Sequence, residues 1–178
     1  MSTLHLPPGI TYDAAAILGL GEAACEPLSV AEPGEMVIHV GAWSLQDLRT
    51  CKTVVRHSLM YNQDWYNGHP FSHEKLTPGV YRVRLQIPDS NRKTFAEQRE
   101  LLCDGEVVAP AVLVATALFC HLKQAGQDLL GNDWTRCADP HPGGSRVTLG
   151  VCQGRVVVLS FFADCPRKHV WLAGCRTS

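Results

Sequence analysis

The sequence predicts an α+β fold, on three observations. Residues 109–126, APAVLVATALFCHLKQAG, are apolar around nearly the whole circumference of a helix. The last third of the chain carries apolar, β-branched or alternating segments separated by turn residues. No helical segment separates those late strands, so nothing there could carry the crossovers of a parallel sheet. The expected arrangement is a buried central helix at about 110–125 packed against a C-terminal antiparallel meander. Short strands and helices from the N-terminal half complete it, and the whole chain of 178 residues forms one domain.

Between 111 and 122 only Thr116 and His121 are polar, and the run is too long for a typical strand. Alanines at 111, 115 and 117 lower its β-propensity. Pro110 suits a first helical position and Gly126 the residue just past the end.

In chain order, residues 1–10 read as extended, with Pro7, Pro8 and Gly9. A short helix follows, with Thr11 as N-cap and an end near Gly19 or Gly21. Residues 26–35 read as loop, and 36–40 as a short strand closed by Gly41. Ser44 and Asp47 approximate a capping box, and Leu45, Leu48, Cys51, Val54 and Val55 recur at helical spacing, so one helix is expected from 45 to about 57. The following segment is a long connection rich in aromatics, His and turn formers, a kind of segment that is often functional. Residues 81–87 alternate as a half-buried strand. Thr94 and Glu97 form a capping box that starts a helix to about 103. After the core helix, 134–138 is a short run and 139–144 a loop. Strands follow at 146–152 and 155–162, joined at Gln153-Gly154, and a last strand runs from 169 to 176.

Composition narrows the function classes. Apolar content of 46% and charged content of 19% belong to a folded protein. A net charge of −1 argues against a general affinity for nucleic acid or acidic membranes. The region from 134 to the end carries six Arg or Lys against two Asp, a net +4, which reads first as a solvated sheet face. The N-terminal stretch lacks the pattern of a signal peptide, and no apolar run reaches the length of a membrane span. Eight cysteines without a two-residue spacing, mostly among apolar neighbours, read as reduced thiols, so the expected compartment is the cytoplasm.

The run 65–98, WYNGHPFSHEKLTPGVYRVRLQIPDSNRKTFAEQ, resembles uncharacterised bacterial proteins in its Trp-Tyr, Pro-Gly-X-Tyr-Arg and Lys-Thr-Phe-X-Glu-Gln series. That resemblance implies a bacterial origin and no activity.

Four groups of residues could carry chemistry. His69 and His73, with Glu74 and Asp64, offer imidazole and carboxylate ligands to a divalent metal. Pro70, however, pushes His69 out of helical geometry, and the plainer reading is a loop pinned by Trp65, Tyr66 and Phe71. Cys120 and His121 are adjacent on a helix, so they point about 100° apart and do not form a nucleophile–base pair. Cys165 and His169 flank Pro166-Arg167-Lys168, where an exposed thiol could be activated or join His169 as a metal ligand, or simply sit in an edge-blunting turn. Arg82, Arg84, Arg92 and Lys93 could hold a phosphate or carboxylate at a helix start, or pair with local acids.

No phosphate loop, nucleophile elbow or dinucleotide fingerprint is present, so no cofactor is expected. The first reading is therefore a non-catalytic binding or protein-interaction module using Trp65, Tyr66, His69 and Phe71, with another protein as partner. The second is a metal-assisted or Cys-dependent hydrolase built from His69, His73, Cys165 and His169. The third is an anion or nucleic-acid binder using the four cations or the net-positive region from 134 to the end.

Overall fold

The computed structural model describes residues 10–21 and 31–178. The expectations for 1–9 and 26–30, and Cys25, lie outside the described residues. Strand β1 (Thr11–Asp13) leads into α1 (Ala14–Leu18), then β2 (Met36–Val40), α2 (Leu45–Thr50) and α3 (Lys52–Arg56). A single 3-10 turn at Pro70–Ser72 precedes β3 (Gly79–Arg84), α4 (Phe95–Arg99), β4 (Val107–Val108) and α5 (Ala111–Ala125). The chain ends in β5 (Trp134–His141), β6 (Ser145–Cys152), β7 (Arg155–Phe162), β8 (Val170–Leu172) and β9 (Gly174–Thr177). The class is α+β, with two antiparallel-rich sheets ordered β1-β2-β3-β9-β4 and β7-β6-β5-β8.

Helix α5 is the axis of the molecule. Every residue from Ala111 to Leu122 is buried, and α5 touches α1, α2 and strands β5, β6 and β7. Its polar positions are matched internally. Thr116 donates its hydroxyl to the Val112 carbonyl at 2.7 Å and accepts from the Trp43 indole at 3.2 Å. His121 Nδ1 shares a 2.7 Å hydrogen bond with the Tyr12 hydroxyl. Gly126 closes the helix in the left-handed region at φ 66°, a conformation that suits glycine at this position.

Pro110 is the N-cap, with extended backbone, and not the first helical residue. A proline side chain cannot cap, so the cap comes from far away: Asp139 Oδ2 accepts from the Ala111 N–H at 2.6 Å. A bulge makes this possible. The β5–β6 register shifts between Arg136 and Pro140, which turns Asp139 toward the helix end. Residues 139–141, expected in a loop, therefore belong to β5.

Burial pushes the Asp139 carboxyl up to about 6, against the lowering effect of the Ala111 amide; Glu74 adds to the rise and Arg146 opposes it. The folded state thus holds this proton more tightly than the unfolded chain. Its contribution to stability is complete below about pH 4 and falls away as pH rises through about 6, by about 3 kcal/mol at most. Asp139→Asn keeps an acceptor for Ala111 and removes the titration. In urea unfolding from pH 4 to 7, the stability of the wild type relative to this variant should decline with rising pH. Parallel curves would refute the assignment.

Five further expectations are corrected. Asp13, not Thr11, caps α1, accepting from the Ala16 N–H at 3.0 Å, while Thr11 lies in β1. The helix expected at 45–57 is broken at Cys51, whose ψ of 144° makes it the C-cap of α2 and the N-cap of α3. The break re-aims the second half, so Val54 is buried while Val55 is 62% exposed. The last strand splits. Residues 170–172 run parallel to β5, and 174–177 cross to the other sheet between β3 and β4. Gly174 permits the switch, because a Cβ there would lie 2.8 Å from Glu106 Oε1. The antiparallel meander is therefore β5-β6-β7, with a parallel strand on its β5 side. Helix α4 ends at Arg99, and β3 at Arg84, both earlier than expected.

Candidate functional site

The connection between α3 and β3 is ordered by its own side chains and by the sheet it crosses. Arg49 of α2 reaches into it, donating to Asp64 Oδ1 at 2.6 Å, to Asn62 Oδ1 at 3.3 Å and to Asn67 Oδ1. The same guanidinium lies over the Tyr66 ring, 5.7 Å from its centroid. Gln46 also donates to Asn67 Oδ1, at 2.8 Å. Tyr66 and Phe71 are buried, anchoring the loop, whereas Trp65 is exposed at 36% and Tyr61 at 43%.

The loop also covers part of the free edge of β7. Tyr61 N–H donates to the Val156 carbonyl and Val156 N–H to the Leu59 carbonyl. Farther along, side chains replace backbone: Gln63 Oε1 accepts from Val158 N–H at 3.1 Å, and the Trp65 indole donates to the Val158 carbonyl at 3.2 Å. An unpaired strand edge is a hazard, and this segment removes part of it. A groove beside the loop is lined by Arg49, Val54, Val55, Met60, Tyr61 and Arg155.

At the other end of the loop, His69 meets a residue from β5. Its ring centroid lies 4.9 Å from that of His141, with 50° between the planes. Trp65 stands edge-on to both, at 5.9 Å from His69 and 5.2 Å from His141, and Phe71 stacks on His69 at 6.0 Å. The Nδ1 atom of His141 is shielded from solvent and has no hydrogen-bond partner.

The sequence-derived groups do not converge. His73 Nε2 is hydrogen bonded to the Asn67 carbonyl at 2.7 Å, and Asp64 is held by Arg49, which keeps its carboxyl below the usual range. Cys165 is half-buried, and its carbonyl accepts from Arg136 at 3.4 Å. His169 turns instead to Asp133, 3.1 Å away. Cys120 is fully buried, and that burial pushes its thiol far up, so it is no nucleophile. Among the described residues, no group of three or more His, Cys, Asp or Glu is arranged to hold a metal.

Two of the four cations, Arg82 and Arg84, face carboxylates. Arg82 pairs with Glu35 at 3.1 Å, and Arg84 donates through Nε to Glu106 Oε1 at 2.7 Å and through Nη2 to Glu106 Oε2. Arg92 sits at φ 59° with its N–H on the Arg167 carbonyl. The start of α4 is taken by its own box, with Thr94 accepting from Glu97 N–H and Glu97 accepting from Thr94 N–H.

Two residues escaped the sequence reading. His141 lay in a stretch read as a Pro- and Gly-rich loop, and nothing local links it to His69. Arg136 is fully buried, the largest side chain among those with almost no exposure. It donates to Gln98 Oε1 at 2.8 Å and to the carbonyls of Phe162 at 3.2 Å and Cys165 at 3.4 Å, while its Nε has no partner. Gln98 in turn donates to the Ser90 and Val170 carbonyls. The two side chains tie β5 to α4 and to the β7–β8 connection.

No protein-family model, curated protein or solved structure matches the chain. No helix of the described residues is long and apolar enough to cross a membrane.

Proposed function

We propose that the protein is a non-catalytic binding module whose contact surface is the loop 61–73 together with the groove beside it, and that its partner is another protein. The observation that carries this reading is the exposure of Trp65 and Tyr61 on a loop that is otherwise pinned on both sides. Such large amphipathic rings, held in place before contact, lose little entropy on binding. Tyr, Trp and Arg are also the side chains that concentrate interface energy, and Arg49 and Arg155 flank the same groove. Val55, 62% exposed, adds apolar area at its rim.

The test is capture of a partner by immobilised protein. Trp65→Ala should reduce capture at least tenfold, the effect of losing about 1.4 kcal/mol or more at a central aromatic. Circular dichroism and urea unfolding of the same variant establish that the fold persists without the bond to Val158. Equal capture by a folded Trp65→Ala protein would end this proposal.

A further inference from the structure

We propose that the outer edge of β4 is a second docking surface, and that it takes an extended, acidic peptide segment as an added strand. The pairing of β4 with β9 sets which backbone groups are open. The Ala109 N–H donates to the Ala173 carbonyl, and Val107 stands opposite Cys175 in the same register. On the other side of β9, the Ser178 N–H donates to the Val80 carbonyl, so even-numbered residues there face β3 and odd-numbered ones face β4. Backbone groups alternate along an antiparallel pair, so the N–H and C=O of Val108 point away from β9. Neither has a hydrogen-bond partner among the described residues.

The edges of the second sheet are treated differently. On β8, Ile87 N–H donates to the Leu172 carbonyl, Ser90 Oγ accepts from Leu172 N–H at 2.9 Å, and Gln98 donates to the Val170 carbonyl at 3.2 Å. On β7, the loop covers the edge as far as Val158. Proteins usually cover such edges, so an edge left open beside a shaped surface points to use. Beside β4 lies a groove of about 340 Å³. Phe95, Leu102 and Ala138 make it apolar, and Val107, 60% exposed, adds apolar area at the edge itself. Its charged groups are Arg99, Arg146 and Glu106. The Glu106 oxygens are already taken, by the Arg84 guanidinium and the Cys103 N–H. Arg99 is exposed and in no ion pair among the described residues. Arg146 is held 4.5 Å over the Phe95 ring with Nη1 on the Ala138 carbonyl, which leaves its Nε and Nη2 uncommitted. The groove therefore presents two guanidiniums and no uncompensated carboxylate, which selects an occupant bearing carboxylates. Strand addition supplies affinity through the backbone, and the flanking side chains supply the choice of sequence.

The probe is a labelled, terminally blocked pentapeptide of alternating valine and glutamate, added to the full chain and followed by fluorescence anisotropy and amide NMR. Signals of Val107 to Ala109 should shift, and exchange of the Val108 amide should slow as the peptide saturates. The same peptide with lysine in place of glutamate should bind roughly tenfold more weakly or worse. N-methylation of the valines in one peptide, and of the glutamates in another, tests the added strand. Only the residue type facing Val108 exchanges hydrogen bonds with it, so one of the two should lose roughly fivefold more affinity than the other. Arg99→Glu, a change at an exposed position, should weaken the glutamate peptide roughly fivefold or more. Trp65→Ala should bind it as the wild type does, so this surface and the loop surface can fail separately. No binding at about 1 mM peptide, equal binding of the lysine peptide, or equal losses in the two N-methylated peptides would overturn the proposal. So would unchanged affinity in Arg99→Glu, or shifts centred on the loop 61–73 with the Val108 amide unaffected.

Discussion

Arg136→Ala should destabilise the protein by about 4 kcal/mol, read as a fall in the urea midpoint. The expectation follows from the acceptors the guanidinium leaves behind. The buried side-chain oxygen of Gln98 would lose its donor, and the half-buried carbonyls of Phe162 and Cys165 would each lose one as well. A cavity the size of an arginine adds to the cost. No carboxylate pairs with Arg136 among the described residues, and burial pulls its guanidinium down from its usual range. The charge itself therefore does not explain its presence; the fork of donors does. Arg136→Met separates the two contributions, because it restores much of the volume and none of the hydrogen bonds. It should lose about 2–3 kcal/mol, and Arg136→Lys should rescue little, since one ammonium cannot span three acceptors. With the β7–β8 connection released, alkylation of Cys165 should also quicken. A methionine variant as stable as the wild type would mean that the buried network is dispensable.

What was legible in the sequence follows a physical line between local and distant determinants. Local signals were read well. The composition of 111–122 demands burial, and burial on every side is what α5 has. Ser44 with Asp47 and Thr94 with Glu97 form complete capping boxes, because both partners lie within one turn. Gln153 and Gly154 adopt φ values of 52° and 73°, the positive pair a two-residue hairpin needs, and β6 and β7 pair in register on either side.

Distant determinants were not legible. Cys51 breaks a helix whose apolar spacing looked continuous, and its own sulfur, accepting from Val54 N–H at 3.5 Å, caps the second half. Leu172 and Gly174 look like one strand, yet they join different sheets, since the choice of partner strand lies in Arg136, Arg84 and Val108. Asp139 reads as a turn former until the bulge in β5 turns it to the helix. The loop histidine was matched to its neighbour His73 by sequence spacing, whereas its partner in space is His141. In each case the deciding contact joins segments that no periodicity or motif connects.

Phe119→Ala tests the architecture on which the placement of every site depends, and it should cost about 3–5 kcal/mol. Phe119 has no exposed surface and sits midway along a helix that touches elements on several sides, so its removal leaves a void bounded by α5 and its neighbours. Close-packed surroundings relax only in part around such a void. The expected loss is therefore the transfer free energy of the ring together with lost contacts to its lining. Lys123, on the same helix but exposed near its end, provides the control, and Lys123→Ala should stay within about 0.5 kcal/mol of the wild type. Hydrogen exchange adds a second readout. Amides of α5 should be among the slowest in the protein, opening only with global unfolding, and Phe119→Ala should speed them by the full equilibrium loss. A phenylalanine deletion costing less than about 1 kcal/mol, or fast exchange in α5, would place the helix at the periphery. The loop, the Arg136 network and the His69–His141 pair would then need a different support, because each is positioned by strands β5 and β7 that pack on this helix.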